Sequence, residues 1–301
     1  MRGSASMTAQ DVVERVLNPD VDKPHVAILM EATKYANLYV ARNYDVYPEP
    51  ETDAKSEFKI LILNAEETKK EGFVFTNVNA EFFPGDPASF THGYCVLSYS
   101  IQRTDSRHAA ALNVKLKDSG FHLKQKDTLE TLVQAQEPLD DVSPESVNAK
   151  GFQCKKEVKR LVNYMQPLCH QRDVFHVVGG DVNEEPHRIG DVISHVDLSM
   201  KDWIDGPNIT EGTMSRAGPT GKVNDQTFAM PFCMKDNKRT FFFGNDTCVV
   251  KKISSSVLPL DLPYAVAADH KPVQYTMSLE TVEVQKRRKR KSKKKMPTIG
   301  E

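Results

Sequence analysis

One stretch of the sequence decides how the chain folds: residues 174–186, which read VFHVVGGDVNEEP. Its first five residues are apolar apart from one histidine, and such a run predicts a buried β-strand. The strand ends in Gly179 and Gly180, which let the backbone turn sharply and approach a neighbour closely. Asp181 and Asn183 lie two positions apart and share one face if the backbone stays extended. The stretch therefore predicts a strand that carries two oxygen-bearing side chains to the edge of a sheet.

The segments around this stretch predict many strands and few helices. Apolar residues at positions 158, 161, 162 and 165 indicate an amphipathic helix that Pro167 closes, and a first helix is predicted over residues 11–17. Further buried strands are predicted at residues 26–30, 60–63, 94–101, 109–116, 240–243, 248–250 and 273–277. Residues 134–150 are polar and predict a long loop, a kind that often borders an active site. Strands with polar residues at their carboxyl ends favour an α/β fold.

The composition excludes several classes of protein. With 39% hydrophobic and 27% charged residues, the chain is typical of a globular protein that has a sizeable core. No apolar stretch is long enough to span a membrane, and no signal peptide precedes the first predicted helix. The five cysteines are irregularly spaced and include no CxxC pair, which argues against a disulfide framework and a cysteine zinc site. We therefore expect an intracellular protein, cytoplasmic or nuclear, without a membrane partner.

The charge is distributed unevenly along the chain. Residues 286–295 contain nine basic residues out of ten, although the net charge of the whole chain is only −1. Without those nine, 31 Lys and Arg face 41 Asp and Glu, so the rest of the chain is acidic. We expect residues 279–301 to form a disordered basic tail that binds nucleic acid, which is a polyanion. The nucleic-acid contacts are expected from Lys286, Arg287, Arg288, Lys289 and Arg290.

Three short strings place chemical groups at predicted strand ends. Glu31 follows the strand at residues 26–30, Asp181 and Asn183 follow the central strand, and Asp269-His270 precede the strand at residues 273–277. Each string alone is also explained by a solvated strand end or a glycine turn. Carboxylate and amide oxygens suit Mg²⁺ or Mn²⁺, and a histidine beside a carboxylate can be held against a phosphoryl oxygen. Taken together, the strings predict a metal-dependent phosphoesterase.

With these residues the chain resembles the endonuclease/exonuclease/phosphatase superfamily, which includes abasic-site endonucleases, pancreatic-type deoxyribonucleases and inositol phosphatases. Residues 28–34 match its metal-binding Glu segment, residues 180–183 match its GDxN motif, and residues 269–273 match its terminal SDHxPV motif. The resemblance extends from about residue 10 to residue 278.

The resemblance implies a fold and a set of residue roles. The expected fold is a four-layer α/β sandwich, with two packed mixed β-sheets flanked by helices, formed by a catalytic domain at residues 1–278. Glu31 and Asp269 would bind Mg²⁺ or Mn²⁺, and Asp181 would activate the attacking water. Asn183 would hold the phosphate or the metal, and His270 would stabilise the pentavalent phosphorus.

The chain departs from the family pattern at three places. Too few residues precede the first predicted helix for the family's first strand, which ends in a metal-binding Asn. The family's Asn-x-His-Leu strand corresponds to residues 113–116, where Lys115 replaces the histidine; this lysine either contacts phosphate or is a simple surface residue. His122 is the weaker alternative. Residues 238–245 offer no Asp to orient His270.

The leading interpretation is a divalent-metal-dependent phosphodiester hydrolase that cleaves DNA or RNA with a metal-activated water. One alternative is a catalytically impaired family member that binds nucleic acid or a partner protein, which the missing first strand and Lys115 motivate. The other is a phosphatase of small molecules such as inositol phosphates. Metal-dependent cleavage of nucleic acid separates the first interpretation from the other two.

Overall fold

The computed structural model describes residues 17, 23–31, 43–48, 57–86, 88–104, 114–124, 156–171, 174–183, 225–229, 234–235, 238–243, 246–257 and 273–282. Within these residues the regular structure is mostly β. The strands are β1 (Val26–Leu29), β2 (Tyr44–Tyr47), β3 (Lys59–Leu63), β4 (Phe73–Phe83), β5 (Tyr94–Arg103), β6 (Val114–His122), β7 (Val174–Asp181), β8 (Asp225–Ala229), β9 (Met234–Lys235), β10 (Lys238–Phe243), β11 (Asp246–Val257) and β12 (Val273–Val282).

The strands form three sheets. The largest is a five-stranded sheet in the order β4-β5-β6-β7-β8, in which β6 and β7 are parallel and the other neighbours are antiparallel. A three-stranded antiparallel sheet has the order β1-β3-β2, and a four-stranded antiparallel sheet has the order β12-β11-β10-β9. The parallel pair is important for function because it brings the carboxyl ends of β6 and β7 to the same edge.

Helical structure is limited in the part of the chain that is described. Helix α1 (Ala65–Lys70) begins at Asn64, whose side-chain oxygen accepts hydrogen bonds from the backbone N–H groups of Glu66 and Glu67. Helix α2 comprises residues 156–165 and continues into a 3₁₀ turn, Gln166–His170, with Pro167 in its first turn. No described helix has the length and apolar character that crossing a membrane requires.

The layers follow from the two faces of β3, which is buried along its whole length. Ile60 and Ile62 belong to the large core cluster between the three-stranded and five-stranded sheets. Leu61 and Leu63 point the other way and pack against Leu17, a helical residue. Because side chains alternate along a strand, the three-stranded sheet is covered on both faces.

The five-stranded sheet is likewise covered on both faces. A Cβ atom added at Gly120 would lie 2.7 Å from Ile28 Cγ2, so β1 packs closely over this face of β6. The neighbouring Phe121 points to the opposite face, where its ring lies 5.0 Å from that of Tyr164 in α2. The layers therefore follow one another in the order Leu17, which is helical, the three-stranded sheet, the five-stranded sheet and α2. This arrangement confirms the predicted α/β fold with packed sheets between helical layers.

Most predicted elements are confirmed, and the differences have simple physical reasons. Of the strand predicted at residues 109–116, residues 109–113 lie outside the described residues, and the described part extends from Val114 to His122 because polar residues such as Lys117 and Asp118 alternate with buried ones. Strand β4 was not predicted, since it lies at the sheet edge and alternates between exposed and half-buried residues instead of forming an apolar run. Strand β12 continues to Val282, four residues past the domain boundary expected at residue 278.

Candidate functional site

The candidate site forms where β6 and β7 end side by side. In this parallel pair, Phe121 lies opposite Gly180 and His122 lies opposite Asp181. Gly180 has a φ of +139°, and a Cβ atom added there would lie only 1.9 Å from the carbonyl oxygen of Phe121. Only glycine fits this close approach. The close contact places the Asp181 carboxylate next to the imidazole of His122.

Hydrogen bonds fix the end of β7. Asp181 Oδ1 accepts a hydrogen bond of 3.0 Å from the backbone N–H of Asn183, whose φ is +51°. The Asn183 amide group donates to the carbonyl oxygen of Leu123 at 2.8 Å. The backbone N–H of Leu123 donates to the carbonyl oxygen of Asp181 at 2.8 Å. Because these bonds join both strand ends, Asp181 and Asn183 have little freedom to move.

Strand β1 brings Glu31 to the same edge. The backbone N–H of Asp181 lies 3.3 Å from Met30 Sδ, a contact between residues 151 positions apart in sequence. Glu31 follows directly, and its φ of +50° turns the chain sharply after the strand. Glu31 is half-buried, whereas Asp181 is only 7% exposed. The end of β1, which precedes the predicted metal ligand, thus lies against the end of β7, which carries the predicted catalytic carboxylate.

A second group of side chains surrounds His122 on its other side. His122 Nδ1 lies 2.6 Å from Glu57 Oε1, and His92 Nδ1 lies 3.3 Å from the same oxygen. The rings of His92 and His122 are stacked, with centroids 4.3 Å apart. On the far side of the ring, His122 Nε2 lies 3.8 Å from Asp181 Oδ2. His122 therefore stands between two carboxylates.

The charges in this group are strongly coupled. Burial opposes ionisation of Glu57, but hydrogen bonds from His122 and His92 outweigh it and lower the pKa of Glu57 to about 2. The hydrogen bond to Glu57 raises the pKa of His92, and partial burial opposes this shift. Glu57 is therefore an anion at neutral pH, and it favours a positively charged imidazole beside it.

Helix α2 holds the two loops that carry the histidines. The Glu157 side chain is fully buried and accepts hydrogen bonds from the backbone and the hydroxyl of Thr91 and from the backbone of Lys124. Thr91 precedes His92, and Lys124 lies two residues after His122. Gly93, whose φ is +79°, lets the chain turn between His92 and β5. The positions of both histidines thus depend on α2.

The structure brings together some of the residues that the sequence predicted. Asp181 and Asn183 are joined by a hydrogen bond, and Met30, the residue before Glu31, contacts the Asp181 backbone. Lys115 does not join them: it lies on β6 seven residues before His122, which corresponds to roughly 23 Å along an extended strand. His122, and not Lys115, is therefore the β6 residue beside Asp181, and a phosphate contact by Lys115 stays a prediction. Asp269, His270 and the five basic residues from Lys286 to Arg290 lie outside the described residues.

Sequence reasoning gave His122 too little weight and missed Glu57 and His92. The available signal was the pair His122-Leu123, which reproduces the histidine-leucine part of the family's Asn-x-His-Leu strand at the end of β6. Glu57 and His92 offered no signal, since they lie in loops and are 35 and 30 positions from the next member of the group. Only the pairing of strands brings them together.

Two sets of residues could hold a cation. Glu31 and Asp181 offer carboxylate oxygens, the donors that Mg²⁺ and Mn²⁺ prefer. Glu57, His92 and His122 offer one oxygen and two nitrogens, and their ligand atoms all lie within 4.8 Å of one another. Among the described residues, Glu57, His92 and His122 are the one group of three or more His, Cys, Asp or Glu side chains whose ligand atoms lie this close together.

The comparisons with known proteins concern structure alone. No family model matches the sequence, and no curated protein matches it. A D. rerio TDP2 humanized by 14 mutations is similar in structure, with a TM-score of 0.46 and 12% identity over 85% of this chain and 86% of that one. The human Nocturnin catalytic domain with bound sulfate has a TM-score of 0.41 and 12% identity, covering 84% of this chain and 81% of its own.

A third similar structure is an endonuclease/exonuclease/phosphatase family protein from Bacteroides thetaiotaomicron. Its TM-score is 0.39 and its identity 11%, over 78% of this chain and 73% of that one. This is the family that the sequence motifs resemble. At these identities and TM-scores, the similarities assign neither a substrate nor a residue role to this chain.

Proposed function

We propose that this chain is a divalent-metal-dependent phosphodiester hydrolase that cleaves nucleic acid, with water as the nucleophile. The observation that carries the proposal is the pairing of His122 with Asp181 at the end of the parallel strands β6 and β7, with Met30, the residue before Glu31, in contact with the Asp181 backbone. Two carboxylates and an imidazole at one edge provide oxygen ligands, a base and a hydrogen-bond donor for a phosphate.

The residues present fit Mg²⁺ or Mn²⁺. Glu31 and Asp181 supply hard oxygen donors, and Asp269 would add a third if the chain returns it to this edge. When bound, the ion lowers the pKa of a water and polarises a phosphoryl oxygen. Glu31 follows Met30, whose sulfur contacts the Asp181 backbone. The ends of the two strands that carry these carboxylates are therefore adjacent.

The side chains of the site have distinct roles in this proposal. Asp181 accepts the proton of the attacking water, and its hydrogen bond from the Asn183 backbone keeps the carboxylate oriented. His122 donates from Nε2 to a phosphoryl oxygen, while Glu57 holds the opposite ring nitrogen. His122 Nε2 and Asp181 Oδ2 are 3.8 Å apart, which is too long for a direct hydrogen bond between them. His270 would stabilise the charge on phosphorus from another side.

Nucleic acid is the substrate class that the charge distribution favours. The acidic body repels a phosphate backbone, but cations at the site and the basic run at residues 286–295 would attract one. Small inositol phosphates carry several phosphates on one ring and need several cations around a pocket. The described residues near Asp181 are mostly carboxylates and histidines, which suits a single phosphodiester.

The test compares hydrolysis by the full chain and by two variants at saturating Mg²⁺ or Mn²⁺. Asp181→Ala is expected to lower turnover of DNA or RNA at least about 100-fold, because positioned bases and metal ligands each contribute factors of that size. Glu66→Gln is the matched control, since this exposed carboxylate lies in α1 at the opposite end of β3. Chelation is expected to abolish turnover and to leave the circular dichroism spectrum of the wild type unchanged.

Four results would contradict the proposal. If Asp181→Ala kept more than a tenth of the wild-type turnover, Asp181 would not be the catalytic base. Full activity in excess chelator would show that the reaction does not require a metal ion. Binding of nucleic acid without metal-dependent cleavage would identify a catalytically impaired binding protein, and release of phosphate from inositol phosphates alone would identify a small-molecule phosphatase.

A further inference from the structure

We propose that Glu57, His92 and His122 form a binding site for a divalent transition metal ion, with Asp181 orienting the imidazole of His122. This site differs in position and in donor atoms from the carboxylate pair Glu31 and Asp181. Its existence does not depend on the proposed hydrolysis, because it follows from the ligand geometry alone. One ligand atom from each of the three side chains lies within 4.8 Å of the other two.

The ligand atoms converge from one side. Glu57 Oε1 lies 2.6 Å from His122 Nδ1 and 3.3 Å from His92 Nδ1, so both ring nitrogens point at the same carboxylate. In a tetrahedral site with bonds of about 2.0–2.2 Å, ligand atoms lie roughly 3.3–3.5 Å apart. The separation between Glu57 and His92 matches these values, whereas that between Glu57 and His122 is a hydrogen-bond distance that would widen when an ion binds. Small rotations of the side chains are enough to admit an ion between them.

The frame that carries the ligands is rigid. His122 ends β6, His92 precedes β5 through the turn at Gly93, and Glu57 lies just before β3. Buried Glu157 ties the backbone next to both histidines to α2. Ligands that are already in place bind a metal without a large loss of conformational entropy.

The donor atoms select the type of ion. Two imidazole nitrogens with one carboxylate oxygen suit Zn²⁺ and similar transition metals, whereas Mg²⁺ prefers oxygen donors throughout. The side chains of His92 and Glu57 are 37% and 28% exposed, which leaves an entry path and room for a water as a further ligand. The site is therefore accessible from solvent and is not sealed in the core.

Asp181 completes the arrangement from behind. When Nδ1 of His122 binds the metal, the remaining proton lies on Nε2, which is 3.8 Å from Asp181 Oδ2. A carboxylate that moves within hydrogen-bond distance of this nitrogen would fix the tautomer and the orientation of the ligating histidine. The same side chain that the proposed hydrolysis uses as a base would thus also support the transition metal.

The experiment measures Zn²⁺ binding to the chelator-treated full chain by calorimetry and by thermal unfolding, without substrate. The wild type is expected to bind one equivalent of Zn²⁺ tightly that Glu57→Gln and His92→Gln do not bind tightly. Each of these variants should lose at least about 100-fold in affinity for that equivalent, since losing an orienting carboxylate alone costs about 10–100-fold. Asp181→Asn should lower the affinity for this Zn²⁺ by only about 10–100-fold. Mg²⁺ should not displace the bound Zn²⁺.

His25→Gln provides the matched control. His25 Nε2 lies 2.8 Å from Glu71 Oε2, so this pair has the same chemistry as His122 and Glu57 but belongs to no group of three ligands in the described structure. Its Zn²⁺ binding should equal that of the wild type. Co²⁺ in place of Zn²⁺ should give the visible absorption of a low-symmetry site in the wild type and in His25→Gln, and not in His92→Gln.

Two results would overturn the proposal: a wild type that binds Zn²⁺ no more tightly than His92→Gln, or equal loss in His25→Gln. Circular dichroism checks that each variant is folded; if Glu57→Gln unfolds, His92→Gln decides alone, because its side chain is the more exposed. Since no substrate is present, loss of metal binding and failure of the proposed hydrolysis are separate results.

Discussion

Gly180 has a positive φ and almost no free space where a side chain would begin, since an added Cβ atom would lie 1.9 Å from Phe121 O. Backbone atoms of a sheet cannot move aside as a flexible side chain can. The position of Asp181 beside His122 therefore depends on the absence of a side chain one residue earlier.

We predict that Gly180→Ala lowers the free energy of unfolding by at least about 2 kcal/mol and lowers turnover. Gly72→Ala is the matched control, because Gly72 also has a positive φ, +87°, but nothing lies within 4 Å of an added Cβ atom. It should cost only the backbone strain, about 1 kcal/mol. Urea unfolding measures both. Equal costs would mean that β6 and β7 separate easily and that the close approach is unimportant.

Asp118 is a half-buried acid in the middle of β6, where its Oδ2 accepts a hydrogen bond of 2.9 Å from the Tyr99 hydroxyl. Burial raises the pKa of Asp118 to about 7, and the hydrogen bond from Tyr99 opposes this shift. An unfolded chain would have a pKa near 3.8 at this residue. Between these two values the folded protein holds a proton that the unfolded chain releases, so the stabilisation from Asp118 decreases as pH rises.

We predict that Asp118→Asn removes this decrease. The difference in free energy of unfolding between wild type and variant should shift in favour of the variant as pH rises from about 4 to about 7, and should then stay constant. Asn keeps an oxygen that accepts from Tyr99, so packing changes little. Urea unfolding at several pH values measures the difference. A difference that does not vary with pH would show that Asp118 is ionised throughout.

Among the elements, α2 has a role beyond packing. Its apolar residues, such as Leu161 and Val162, are buried in the large core cluster, as the sequence pattern predicts. Its first turn also carries Glu157, which bonds to the loops before β5 and after β6. The helix thus joins the core to the two loops that hold His92 and His122.

We predict that Glu157→Gln lowers the free energy of unfolding by about 2–3 kcal/mol, because one oxygen becomes an NH₂ group that faces a backbone N–H. Hydrogen exchange at Thr91 and Lys124 should become faster than at other residues of the sheet. Glu66→Gln, an exposed residue of α1, should leave both measurements close to the wild type. Faster exchange throughout the sheet would mean that Glu157 supports the core as a whole and not these loops.

At the scale of the whole molecule, the charge is divided between an acidic body and a basic run at residues 286–295. Contacts from lysine and arginine to phosphates release counterions, and their contribution falls steeply as salt rises. The run lies after the last motif that the resemblance to the nuclease family identifies, so we expect it to supply no group to the reaction.

We predict that deleting residues 286–301 weakens nucleic-acid binding at low salt and flattens its salt dependence, while turnover at saturating substrate hardly changes. Binding and cleavage by the full and shortened chains across a salt series measure this. Equal affinities and equal salt slopes would show that the run does not contact nucleic acid. Loss of turnover at saturation would show that it contacts the site.

The sequence alone determined the strands around Asp181 and the helix over residues 158–165, because each depends on a local apolar pattern, whereas the layered α/β fold was implied by the resemblance of its motifs. It also identified Glu31, Asp181 and Asn183 as candidate site residues, since these lie in short strings at strand ends. Local patterns could not reveal β4, whose alternation is that of a half-exposed edge strand.

Only the tertiary structure decided which distant residues meet. His122 lies beside Asp181 because β6 and β7 are parallel in one register, and a shift of one residue would turn His122 to the other face. Glu57 and His92 reach His122 from loops before β3 and β5, and no pattern in the chain links them. Register and sheet packing depend on the summed burial of many side chains, so neither can be read from the few residues that form the site.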